Sequence, residues 1–65
     1  MDNLRTIARD RRLSLGLTQK QVAEKANCSR DTVNTFENDR RDVYLDVMLS
    51  IFEALGLRLV VEDDD

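Results

Sequence analysis

The 65-residue sequence predicts a mainly α domain, four short helices followed by one β-strand that needs a second copy of the chain to pair with. Three observations predict it. Apolar residues recur at three- and four-residue spacing in four segments, about 4–15, 18–25, 29–38 and 45–55. Most of the boundaries between them carry a recognisable start or stop residue. After Gly56 the period drops to two: Leu57, Leu59 and Val61 alternate with Arg58, Val60 and Glu62, which is strand spacing over about 57–62. A lone strand does not stand in water, so Leu57, Leu59, Val60 and Val61 become the expected dimer contact.

In the first helix Asn3 is the expected cap, and Leu4, Ile7, Ala8, Arg11 and Leu15 form a partly apolar stripe. Gly16 follows as a left-handed stop. Thr18-Gln19-Lys20-Gln21 reads as a capping box, in which the threonine hydroxyl takes the amide of the third helical residue and Gln21 reaches back. Val22, Ala23 and Ala26 make the apolar side of that helix, and Asn27 suits a left-handed turn. Ser29 is the next cap, with Asp31 in the first turn. Val33 and Phe36 face inward, whereas Arg30, Asp31, Asn34 and Thr35 face outward. A polar loop spans 38–42. The fourth helix carries Leu45, Met48, Leu49, Phe52 and Leu55 on one side, and Gly56 stops it. The Asp63-Asp64-Asp65 tail reads as a solvated run, a contact for a basic partner surface, or a charge guard on the strand edge.

Size and composition narrow the function. A domain this small buries about 60% of its unfolded surface and is marginal alone. One cysteine and no histidine leave neither an intrachain disulfide nor a metal cage, so a homodimer is the expected support. No metal or cofactor is expected. No apolar segment approaches the roughly 18 residues of a membrane span. The Met-Asp-Asn start has no signal-peptide character, and a lone Cys28 fits a reducing cytoplasm. Net charge is −3, but residues 1–41 balance to +3 and residues 42–65 to −6. Such asymmetry suits a basic face toward phosphate and an acidic half turned away.

Two short helices around a three- to four-residue turn have helix-turn-helix geometry, in which the second helix enters the major groove of DNA. The run TQKQVAEKANCSRDTVNTFEND resembles the lambda-repressor-like, Xre-type helix-turn-helix proteins, and with Gly16-Leu17 before it and Ala54-Leu55-Gly56-Leu57 after it the resemblance covers about residues 4–57. The segment YLDVMLSIFEALGLRLVVED is most similar to HipB-type antitoxins, which pair a C-terminal strand across the dimer. Position by position, the resemblance implies that Ser29, Arg30, Asp31 and Asn34 face bases, with Thr35 as a further candidate. It implies a phosphate contact for Gln19 and backbone contacts for Asn38, Arg40 and Arg41. Arg12 is carried both among the phosphate-facing residues and, with Glu37, as a partly buried ion pair. Asn27 stands where the family often has glycine, and Tyr44 where it usually has a Ser or Thr cap.

The chemistry of these side chains fits. The Arg30 fork matches guanine O6 and N7, or alternatively a phosphate. Asp31 can accept from cytosine N4 or simply favour its helix start. Gln19 can join backbone N–H groups at a phosphate. Cys28 reads as small apolar packing at the turn.

The implied function is a sequence-specific regulator that binds a palindromic double-stranded operator as a dimer, represses its own operon and neutralises a cognate toxin. The alternative is a protein–protein interaction module working through the acidic C-terminal half. An enzyme is not expected: there is no histidine, no nucleophile with a base, no phosphate loop, and too little chain to enclose a pocket of about 300 Å³.

Overall fold

A computed structural model describes residues 2–38 and 43–60. It is mainly helical: α1 Asp2–Ser14, α2 Gln19–Ala26, α3 Arg30–Asn38 and α4 Leu45–Ala54. No strand forms among the described residues, and 57–60 run without regular structure. Residues 61 and 62 of the expected strand, Arg40 and Arg41 of the loop, and the Asp tail lie outside the described residues.

Local chemistry sets the helix ends. Thr18 caps α2 with both halves of its box in place: the Gln21 amide donates to Thr18 Oγ1 at 3.1 Å, and the Thr18 amide donates to Gln21 Oε1 at 2.8 Å. Ser29 caps α3, accepting from the Thr32 amide at 3.1 Å. Three helices stop in the same way. Gly16 (φ +71°), Asn27 (φ 58°) and Gly56 (φ +73°) are left-handed. The residue after each donates back five positions, Leu17 to Arg12, Cys28 to Ala23 and Leu57 to Phe52. Leu17, Cys28 and Leu57 then tuck against the core. One expectation fails here. Helix α1 already begins at Asp2, so Asn3 lies inside its first turn and is not its cap.

The core is Ala8, Val22, Ala23, Ala26, Val33, Phe36, Ile51, Phe52 and Leu55. Phe36 and Phe52 meet edge to face at 6.2 Å, a favourable quadrupole geometry that joins α3 to α4. Two apolar stripes differ from the sequence reading. In α4 the buried arc is turned toward Ile51, with Val47 and Met48 beside it. Leu45 and Leu49, expected inside, stay 62% and 40% exposed. Among the described side chains of α1 only Ala8 is fully buried and Leu4 partly so, while Ile7 and, just past the helix, Leu15 face solvent.

Polar contacts hold α1 instead. Arg5 lies over the Phe36 ring at 5.3 Å and donates to the Phe36 carbonyl at 2.6 Å. Arg11 donates to the Leu55 carbonyl at 3.0 Å. Both guanidinium groups meet carbonyls at helix C-termini, where the last C=O groups lack intrahelical partners and the dipole favours a cation.

A left-handed residue strains any side chain with an ordinary Cβ, and asparagine less than most. Asn27→Gly should therefore keep the stability of the wild type, whereas Asn27→Ala should lose about 1 kcal/mol in urea denaturation.

Candidate nucleic-acid interface

Helix α3 crosses α2 on small residues. Ala23 and Ala26 are buried at 2% and 8% exposure, which lets Val33 and Phe36 pack closely from above. The turn of residues 27–29 is held at both ends, by the left-handed Asn27 and by the Ser29 cap. This fixes the angle at which the outer face of α3 is presented.

A hydrogen-bonded chain runs beneath that face. Arg12 grips Glu37 with both ends of its fork, Nε to Oε2 at 2.8 Å and Nη2 to Oε1 at 3.0 Å. The pair is largely withdrawn from water, with side chains 12% and 2% exposed. The remaining Arg12 nitrogen, Nη1, donates to the Leu17 carbonyl at 3.0 Å. Glu37 Oε1 also accepts from Gln19 Nε2 at 3.2 Å. The same Gln19 nitrogen reaches Asn34 Oδ1 at 3.3 Å, and Asn38 Nδ2 donates to that oxygen at 2.8 Å. Helices α1, α2 and α3 thus share one polar network.

The candidate residues fall into groups. Arg30, Asp31 and Asn34 are exposed on the outer face of α3, and Thr35 is half-buried. Ser29 is exposed, but its hydroxyl is engaged by the Thr32 amide and by Thr32 Oγ1 at 2.8 Å. Asn38 ends α3 and is bonded within the network. Arg12 has three of its nitrogens engaged inside the domain. Gln19 begins α2. Arg40 and Arg41 lie outside the described residues.

An open trough of about 520 Å³ lies between the start of α2 and the start of α3, bordered by Arg12, Leu17, Thr18, Gln19, Lys20 and Arg30. A second open groove of about 320 Å³ runs beside Leu49, Phe52, Leu57 and Leu59. Both are open grooves on the surface and not enclosed pockets. The first combines Lys20 and Arg30 with the free N–H groups of the opening turn of α2, a setting that favours an oxyanion. Sequence reasoning passed over Lys20, although its place in the first turn of α2 beside Gln19 was a usable signal. It also did not assign Arg5 and Arg11, whose partners are 31 and 44 residues away.

Cys28 is half-buried at the turn, and burial pushes its thiol up from the ordinary cysteine pKa. The thiolate is the nucleophile, so this position is less reactive than a free thiol.

Two comparisons bear on this arrangement. Residues 9–61 match a family model described as helix-turn-helix. An uncharacterized HTH-type transcriptional regulator of Methanothermobacter thermautotrophicus (strain Delta H) is 38% identical over 60 residues, covering 92% of this chain and 86% of that protein. Among the described residues, no helix is long and apolar enough to cross a membrane.

Removing one member of a buried pair leaves its partner charged and unmatched, at about 3–5 kcal/mol. Arg12→Ala should lose that much, close to the whole stability of a domain this small, as a collapse of the thermal transition followed by circular dichroism. Arg12→Lys should recover only part of it, because a lysine cannot make the two-pronged contact. For Cys28 the sign follows from a raised folded-state pKa. Its contribution to stability is present below the unfolded cysteine pKa and is lost as pH rises through the folded value. Alkylation by iodoacetamide at pH 8 should therefore be slower for the native protein than for the urea-unfolded chain.

Proposed function

The chain belongs to the helix-turn-helix family, and from that membership we propose that it is a DNA-binding transcription regulator that reads the major groove with α3. The observation that carries the reading is the outer face of α3: Arg30, Asp31 and Asn34 are exposed on a helix whose other side is locked by Val33, Phe36 and the Arg12–Glu37 pair. In the proposed complex Arg30 and Asn34 address base edges, with Asp31, Ser29 and Thr35 at their margins. Lys20 and the main-chain N–H of Gln19 meet the phosphate backbone at the head of α2, and Arg40 and Arg41 add to that contact.

The finer reading is a dimeric repressor on a palindromic operator, with recognition helices about 34–36 Å apart. Support for the dimer comes from apolar side chains left exposed at one end of the chain: Leu45, Leu49, Leu59 and Val60. A second copy that pairs along about 57–62 would cover part of them. The likeness of the C-terminal segment to HipB-type antitoxins supports an antitoxin that represses its own operon and binds a toxin.

Selection from random duplex DNA tests the proposal. The expected result is a two-fold symmetric motif with half-sites about 10 base pairs apart, lost or relaxed at one position in Arg30→Ala. Affinity at that site should fall steeply with salt, because phosphate contacts release counterions. A well-folded dimer that enriches no motif at low salt would overturn the reading.

A further inference from the structure

The network beneath α3 has only one consistent direction of donation, and that direction decides what Asn34 offers to solvent. A carboxylate gripped by a guanidinium has only acceptors to present, so the Gln19 atom beside Glu37 Oε1 must be its NH₂ group. That same nitrogen lies 3.3 Å from Asn34, so the Asn34 atom facing it must be the carbonyl oxygen. Asn38 then reaches that oxygen with its own nitrogen at 2.8 Å. The orientation of three amide side chains, which could each be flipped in isolation, is thus fixed by Arg12 and Glu37. Asn34 Oδ1 accepts twice within the protein, and its Nδ2 has no partner among the described residues. The side chain itself is exposed.

We propose that Asn34 is a donor-only reader, recognising a base edge that presents acceptors, guanine above all. A free asparagine reads adenine by giving a proton to N7 while taking one from the N6 amino group. That two-way contact needs the amide oxygen, which is already occupied here. What remains is an NH₂ group with two protons, which suits the paired N7 and O6 acceptors of guanine and is mismatched against the amino group of cytosine. Gln19 and Asn38 act as positioning residues, since they hold the Asn34 amide in this orientation without being required to touch the base. The assignment rests on the DNA-reading function proposed above and adds to it the polarity of one contact.

The test is the random-duplex selection run in parallel with the full-length wild type, Asn34→Ala and Asn34→Asp. Asn34→Ala identifies the position that this side chain reads, as the one whose preference relaxes by roughly tenfold. The wild type should hold guanine there. In Asn34→Asp one carboxylate oxygen keeps both internal bonds and the outward atom alone changes from donor to acceptor. That variant should therefore retain the wild-type thermal transition and switch its preference to cytosine at the same position, with weaker binding throughout. Adenine at the position relaxed in Asn34→Ala would overturn the donor-only assignment while leaving the DNA-reading function standing. So would an Asn34→Ala motif unchanged at every position, or an Asn34→Asp protein that still selects guanine. Absence of any wild-type motif would instead overturn the DNA-reading function, and the assignment with it.

Discussion

The Arg12–Glu37 pair is the constraint from which the rest of this domain is built. Alone, either charge in that position would be expensive, because water is largely excluded from both side chains. Together they satisfy one another with two parallel hydrogen bonds, the geometry in which a guanidinium and a carboxylate bind most tightly. The pair joins the end of α1 to the end of α3. It takes in the Leu17 carbonyl on the chain leading to α2, and it orients Gln19 at the head of α2. Helix α1, which buries little apolar area of its own, is thereby held against α2 and α3. The recognition surface inherits its rigidity from a contact that lies below it.

Around that anchor, the chain uses brief local devices. Three of the turns have a left-handed residue followed by an apolar one that folds back onto the core. The motif closes the orphan carbonyls of a helix end and aims the next segment in the same short stretch. It works equally with glycine or asparagine in the special position. At residue 27 the asparagine gives up some freedom in the unfolded chain that a glycine would retain. The side chains that face outward on α3 are therefore free to vary without disturbing how the helix is placed, provided that Val33, Phe36 and Glu37 remain.

These devices explain which parts of the fold could be read from the sequence. The capping box at Thr18, the cap at Ser29 and the stops at Gly16, Asn27 and Gly56 act over five residues or fewer, so their signals sit side by side in the chain. The resemblance of about residues 4–57 to known helix-turn-helix proteins implies Arg12 opposite Glu37, which no local pattern could do. Ile51 was missed because the apolar residues of α4 cover more than half of its circumference, and only packing against α2 and Phe36 selects the buried arc. Leu45 and Leu49 belong to the same wide apolar arc, so the pattern alone points them inward. Asn3 has the residue type of a cap, yet the helix starts at Asp2, two residues before the expected Leu4. On the interface, periodicity alone gives Arg30, Asp31 and Asn34 as outward, whereas Thr35, expected with them, is half-buried. The direction of the amide bonds does not follow from periodicity, because it emerges only when Gln19, Asn34, Glu37 and Asn38 come together in space.

The attachment of α1 has a thermodynamic consequence. Its anchors are guanidinium groups on carbonyls, a carboxylate and one aromatic face, with Ala8 as its single fully buried apolar residue. Apolar burial is what gives folding its large heat-capacity change, and such contacts weaken as water is cooled. A helix docked mainly by polar contacts adds little to that term, so α1 contributes less to the heat-capacity change of the domain than the helices that bury Val22, Val33, Phe36, Ile51 and Phe52. Its partners Phe36, Glu37 and Leu55 lie on those helices or at their ends, so the clasp draws its geometry from the apolar core that it crosses.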